Sequence, residues 1–171
     1  MSCFMESLEK IFPFLFDSTV DAQYHKMYYP AMESIIKGEM DLEKENIKVA
    51  LMTPAFKFDP YQIFWSDKHE CKMPDYSRQE LSLKVVHAQV PVVVKTNTDK
   101  TIFTRCGNIE ARFAVVYSER LGYADAEKKE PMDYSRVISC VNFGKTQRSF
   151  NGEFIIHWTS NTFLVIPPPE D

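Results

Sequence analysis

The chain has 171 residues, of which 44% are hydrophobic, and it contains 13 Phe, 8 Tyr and 2 Trp. A chain of this length can form one domain with its own core, and this composition excludes a disordered protein. Its 20 basic and 24 acidic residues give a net charge of −4, and they form no basic cluster of the kind that binds nucleic acid. We therefore expect no nucleic-acid partner.

Four cysteines are spread along the chain: Cys3, Cys71, Cys106 and Cys140. They form no CxxC pair, so the sequence predicts neither a zinc site nor a disulfide framework. This cysteine pattern is typical of a protein that assembles in a reducing, intracellular environment. The apolar start, residues 4–16, is interrupted by charged residues and by Pro13, which is not typical of an export signal. No run approaches the roughly 20 apolar residues that cross a bilayer, so no membrane partner is expected.

Residues 1–20 are predicted to form an N-terminal arm or a short amphipathic helix. Apolar residues recur there at helical spacing: Phe4, Leu8, Ile11, Phe12 and Leu15. This apolar face could pack on the domain of the same chain or dock on a neighbouring subunit, and the sequence leaves both possibilities open.

The next segment, from Ala22 to Lys37, predicts a helix, because Pro30 is tolerated in a first turn and Gly38 is a natural C-terminal stop. From Ile47 to Met52 the larger branched residues alternate, which is typical of a strand with one buried face.

Seven further strands are predicted at residues 81–87, 90–95, 101–105, 110–118, 136–143, 152–158 and 162–166. Turn residues separate them: we expect a hairpin at 97–100, positive φ at Asn151-Gly152 and a tight turn at Ser160-Asn161. The fold class is therefore mainly β, an antiparallel β-sandwich or barrel-like domain with one or two N-terminal helices. A single domain would span residues 21–166, and a Pro-rich tail would follow at 167–171.

Two longer polar stretches, residues 54–78 and 121–134, lie between predicted strands. The first is rich in aromatic residues, and five of them are candidates for a protein interface: Phe56, Phe58, Tyr61, Phe64 and Trp65. Four residues of the prefix are added to this set: Phe4, Phe12, Phe14 and Phe16. The loop could instead fold its aromatic residues back over its own sheet, so both alternatives stay open.

No catalytic motif or nucleotide-binding loop is recognisable. The cluster from Asp67 to Cys71 contains several types of metal ligand, but no second ligand pair matches it. The acidic residues Asp41, Glu43 and Glu45 lack the spacing of a calcium loop. We therefore expect no enzymatic activity, no metal, no cofactor and no small-molecule substrate.

Several segments together resemble a family of small structural proteins of tailed bacteriophages. These are the glycine-terminated helix and acidic linker at 34–42, the strand at 47–53, the strand at 109–117, the Phe-Gly end of the strand at 141–144, and residues 154–158 after Asn151-Gly152. The family has a glycine before its middle strand, which Asp75-Tyr76-Ser77-Arg78 lacks here.

This resemblance covers roughly residues 24–166 and implies a virion component assembled in the host cytoplasm. A capsid decoration or cement protein on the capsid surface would bind the major capsid protein or other virion proteins, and would form a homo-oligomer. The alternative is a tail, fibre or host-recognition module that binds a receptor or sugar.

Overall fold

A computed structural model describes residues 16–22, 25–87, 91–104, 107–125, 127–158 and 162–166. The fold is mainly β, as predicted, with 55% of the described residues in strands and 6% in one helix. The strands are β1 (Phe16–Asp21), β2 (His25–Met27), β3 (Ile47–Met52), β4 (Gln79–Glu80), β5 (Leu83–His87), β6 (Val92–Thr96), β7 (Lys100–Phe103), β8 (Asn108–Ser118), β9 (Leu121–Asp125), β10 (Glu130–Asp133), β11 (Arg136–His157) and β12 (Thr162–Ile166). The helix, α1, spans Tyr29–Ile36.

Seven strands form one sheet that curls into a half-barrel. Its order is β1-β11-β8-β3-β4, and β2 and β7 also pair with β11. All these pairs are antiparallel except that of β1 with β11, which is parallel. Among the described residues there are two smaller sheets, one of order β12-β6-β5 and the other a hairpin of β9 and β10.

Strand β11 has 22 residues and joins two segments that the sequence predicts as separate strands. Its pairing with β8 shifts register between Asn142 and Gln147, where Gly144 has a φ of +80°. A second irregularity lies at Asn151, whose φ of +51° confirms the predicted positive φ at this site. Such irregularities bend a strand, so β11 curls while it continues to pair on both edges.

The main core contains residues of the curled sheet together with residues of β5, β6 and β12. Trp158, Phe154 and Ile156 are fully buried there with Val94 and Phe163. The indole Nε1 of Trp158 donates to Thr101 Oγ1 at 2.8 Å, so its one polar atom is satisfied. A second cluster contains Tyr28 and Ala31 at the start of α1, residues of β3, β8 and β11, and aromatic residues of the loop after β3.

The structure corrects the start of the predicted helix at 22–37. Residues His25–Met27 instead form β2, which pairs with β11, and the helix begins at Tyr29 with Pro30 in its first turn. The predicted stop is confirmed, because Gly38 follows the helix with a φ of +74°. Phe16–Asp21 also form a strand, so the first strand begins inside the segment predicted as an arm or helix.

Two predicted connections are wrong. Residues 97–100 do not close a hairpin, because β6 pairs with β5 and β12 whereas β7 pairs with β11. The stretch 121–134, predicted as a loop, contains β9 and β10. The turn at 160–161, the tail at 167–171 and most of the N-terminal prefix lie outside the described residues.

Candidate interaction surface

The aromatic loop after β3 runs along the free edge of β11 and is fixed there by backbone hydrogen bonds. Val137 N donates to Ile63 O at 3.1 Å, and Trp65 N donates to Ser135 O at 2.8 Å. Between these bonds, Phe64 forms an isolated bridge with Arg136. Because side chains alternate along an extended segment, this pairing turns Trp65 toward the sheet and leaves its neighbours outside.

The structure divides the five predicted loop residues into two groups. Phe56 is buried against Phe113, with ring centroids 5.3 Å apart, and Phe58 contacts Tyr28 at 4.8 Å. Trp65 stacks on Tyr117 at 4.3 Å. These three fold back over their own sheet, which is the second of the two alternatives for this loop, and their role as contact residues stays a prediction. Tyr61 and Phe64 are 72% and 57% exposed and stay available to a partner.

The four candidates from the prefix are not placed as contact residues. Phe4, Phe12 and Phe14 lie outside the described residues. Phe16 begins β1, where its backbone pairs with Phe150 and Asn151, and its side chain lies outside the description.

Tyr61 and Phe64 belong to a set of exposed apolar side chains, the aromatic patch, which we define as Tyr29, Tyr61, Ile63 and Phe64. Tyr29 N donates to Pro60 O at 2.8 Å, which holds the start of α1 against the loop. The rings of Tyr29 and Tyr61 meet edge to face, with centroids 5.2 Å apart. Ile63 and Phe64 follow two and three residues after Tyr61 in the same loop and are also exposed. Exposed apolar side chains that lie close together mark interaction sites more often than single ones do.

An ion pair between a partly exposed arginine and a buried carboxylate holds the loop that carries Tyr61 and Phe64. Arg78 donates to Glu70 from Nε to Oε2 at 2.8 Å and from Nη2 to Oε1 at 2.9 Å, and its Nη1 donates to Tyr117 Oη at 3.0 Å. The guanidinium also lies over the ring of Trp65, 5.1 Å from its centroid. The hydrogen bonds with Glu70 are the main reason that the pKa of Arg78 is raised.

Tyr76 completes this network, which we call the Arg78 clamp. Its hydroxyl donates to Glu70 Oε2 at 2.9 Å and accepts from Leu51 N at 2.9 Å. Burial, followed by the nearby Glu70 carboxylate, raises the pKa of Tyr76. An open groove of about 600 Å³ borders the clamp, but Glu70, Tyr76 and Arg78 there bind one another. The arrangement is typical of a structural network.

The predicted polar cluster at Asp67 to Cys71 is divided by the fold. Glu70 and Cys71 point inward, whereas Asp67 and Lys68 are exposed. Within the described ranges, no group of three or more His, Cys, Asp or Glu side chains could hold a metal ion.

The acidic residues that follow α1 each have a local partner. Asp41 Oδ1 accepts from Glu43 N at 3.1 Å, and Glu43 Oε1 accepts from Val85 N at 2.8 Å. Glu45 accepts from Arg120 Nη2 at 2.6 Å and from the Ser118 hydroxyl. Burial opposes ionisation of Glu45, but these hydrogen bonds outweigh it and lower its pKa. Glu43 and Glu45 thereby fasten the linker to β5 and β8, and Asp41 bonds within the linker.

The described side chains include three histidines. His25 and His157 have polar neighbours, and His69 is half-buried. His25 packs on Trp158 and Phe163, and its Nε2 lies 2.9 Å from Ala22 O. His157 Nδ1 lies 3.1 Å from Asp21 Oδ1 at the surface, and His69 is half-buried. In these contacts of the described residues, none of the three histidines lies next to a nucleophile.

The β9–β10 hairpin is a candidate interaction surface that was not predicted from the sequence. It continues beyond the β8–β11 pair as a separate ribbon of two strands. Large apolar side chains are exposed on it: Leu121, Tyr123, Met132 and Tyr134. The alternation of Leu121 with Tyr123, and of Met132 with Tyr134, was a strand signal in the sequence.

No protein-family model, no curated protein and no solved structure matched the chain. In the part of the chain that the structure describes, no helix is long and apolar enough to span a membrane.

Proposed function

We propose that the chain is a non-enzymatic virion protein of a tailed bacteriophage. It decorates the capsid by binding the major capsid protein through the aromatic patch. The observation that carries this proposal is the exposure of Tyr61 and Phe64 on a loop whose backbone is fixed to the sheet. A rigid, exposed aromatic pair can bury surface in an interface with little loss of conformational freedom.

The resemblance to phage structural proteins supports the same proposal. Its segments correspond to β3, β8 and the two halves of β11, which are adjacent strands in the middle of the large sheet. The family-like residues therefore build one connected scaffold, and the aromatic patch lies at the edge of it. We also propose that the fold is a sandwich. In it, the curled sheet and the β12-β6-β5 sheet form two layers over a shared core.

Binding to capsid shells tests the proposal. Purified protein is mixed with shells assembled without it, and the bound fraction is measured after sedimentation. We expect wild-type protein to bind, and Tyr61→Ser combined with Phe64→Ser to weaken binding by about tenfold or more. The control Val86→Ser alters an exposed side chain on β5 and should bind like the wild type.

Two results would contradict the proposal: wild-type protein that does not bind the shells, or a double variant that binds as well as the wild type. If the protein instead bound host envelope material and competed there with intact virions, a receptor-binding tail module would replace decoration as the function.

A further inference from the structure

The β9–β10 ribbon exposes apolar side chains on both of its faces. Tyr123 lies opposite Pro131, and Leu121 lies opposite Asp133, so these residues share one face. Gly122 lies opposite Met132 on the other face. An isolated two-stranded hairpin is only marginally stable in water, so a further strand would stabilise this one.

The hydrogen-bond pattern determines which edge of the ribbon can accept another strand. Tyr134 N donates to Arg120 O at 3.0 Å. Because bonded and non-bonded pairs alternate in an antiparallel ladder, Gly122 and Met132 form the next bonded pair. The backbone N–H and C=O groups of Leu121 and Tyr123 therefore point away from β10.

The same alternation places the ring nitrogen of Pro131 on the outer edge of β10. A proline there removes a hydrogen-bond donor and blocks a new strand, and Glu130 and Asp133 add charge to that edge. The edge of β9 differs, because Leu121, Gly122 and Tyr123 carry no charge and include no proline. Within the described ranges, β10 is the only strand that pairs with β9.

The large sheet does not offer a comparable edge at β3. Lys48 and Val49 pair with β4, and beyond them Cys71 N donates to Leu51 O at 2.9 Å. Thr53 N donates to His69 O at 2.8 Å and extends this cover. The edge of β3 is thus covered by other segments of the chain, whereas in the described ranges β9 pairs with β10 alone.

We infer that a second copy of this chain pairs with β9, antiparallel and edge to edge, with a two-fold axis at Gly122. In this register Leu121 lies opposite Tyr123 of the second copy, and the reverse pair is identical, as a two-fold interface requires. Each of these two pairs exchanges both of its backbone hydrogen bonds. The register shift between Glu130 and Pro131 leaves Ala124 as an extra residue, which ends the paired run.

Gly122 suits the position on the axis. Its neighbours across a non-bonded pair would be close, at a Cα–Cα distance of about 4.5 Å. On this face the ring of Tyr134 already covers Gly122, since a Cβ at residue 122 would lie 2.9 Å from Tyr134 Cε1. Two such rings would flank the axis and shield the joined ribbons.

The contact is small, so the dimer should be weak in solution and stronger where copies are held side by side on a surface. Sedimentation equilibrium of the full chain measures it directly. We expect wild-type protein to dimerise reversibly at high micromolar concentration.

Two double variants test the register. In Leu121→Lys with Tyr123→Lys, like charges face each other across the axis, and self-association should weaken by about tenfold or more. In Leu121→Lys with Tyr123→Glu, each introduced lysine faces an introduced glutamate, so dimerisation should be retained and should weaken with salt. Both variants change exposed residues and should fold.

A wild-type chain that stays monomeric would overturn the inference. It would also fail if the two variants associated equally, because a two-fold axis at Tyr123 places like charges together in both of them. A Lys/Glu variant weaker than the Lys/Lys variant would contradict the register as well. Capsid binding is measured separately, with variants of the aromatic patch, so either idea can fail without the other.

Discussion

The guanidinium of Arg78 holds both carboxylate oxygens of Glu70, at 2.8 and 2.9 Å. The Glu70 side chain is 7% exposed, so this ion pair is shielded from water on its acidic side. It connects the end of the aromatic loop to β8 through Tyr117. Because the guanidinium also lies over the ring of Trp65, this ion pair helps to fix the loop that carries Tyr61 and Phe64.

Replacing Arg78 by alanine should destabilise the fold, because the buried Glu70 carboxylate would lose its partner. Loss of one partner of a fully buried pair costs 3–5 kcal/mol, and the partial exposure of Arg78 reduces the expected loss to about 2–3 kcal/mol. Denaturant unfolding measures this change. The control Arg148→Ala breaks a pair with Glu110 in which both side chains are more than half exposed, and it should cost at most about 1 kcal/mol. Equal losses for the two variants would show that the clamp is not structural.

The two groups of loop aromatics should respond differently to truncation. Phe56→Ala removes a buried ring and should lower the free energy of unfolding by about 3–5 kcal/mol. Phe64→Ala removes an exposed ring and should change it by no more than about 0.5 kcal/mol. Thermal and denaturant unfolding of both variants would check this, and a large loss for Phe64→Ala would contradict its place on the surface.

Acid should weaken the fold through His25. Burial lowers the pKa of His25 from its ordinary value of 6.5, although the bond with Ala22 O opposes the shift. Below that value the unfolded chain binds a proton that the folded chain does not, so the free energy of unfolding falls as the pH falls. This contribution amounts to at most about 1.4 kcal/mol per pH unit.

The measurement is the free energy of unfolding of wild-type protein and His25→Gln between about pH 5 and pH 7.5. The variant should show a shallower dependence on pH, so the difference between the two proteins should shrink toward acid pH. A constant difference across this range would contradict the prediction.

Gly38 should be sensitive to any side chain for conformational reasons alone. Its φ is +74°, and nothing lies within 4 Å of the place where a Cβ would be. Gly38→Ala should therefore cost about 1 kcal/mol of stability without a steric clash, and Gly38→Asn should cost less because asparagine tolerates this conformation. Unfolding of the two variants tests the order, and equal stability of all three proteins would contradict it.

The sequence was most informative where one physical rule determined a local structure. Ile47–Met52 and Thr162–Ile166 form strands with the predicted bounds, because alternation and turn residues limit them clearly. Gly38 ends the helix for the reason expected. For the contact residues, Tyr61 and Phe64 are exposed as an interface requires, whereas Phe56 and Trp65 have the side-chain chemistry of an interface but lie inward.

The remaining features depend on long-range pairing, which local patterns do not contain. His25–Met27 has a helix-like neighbourhood but becomes a strand because the edge of β11 is free there. Residues 97–100 have turn chemistry but connect two different sheets. The inward turn of Trp65 follows from its backbone bond with Ser135, 70 positions later in the chain. No rule on sequence spacing predicts such a contact.

The copy number and position of the protein in purified particles test the proposed decoration role most directly. Quantitative mass spectrometry with electron microscopy gives both. We predict many copies on the head, in a number that follows the lattice of the major capsid protein, with the aromatic patch facing the shell. A few copies at the tail, or no copies in the particle, would contradict the account.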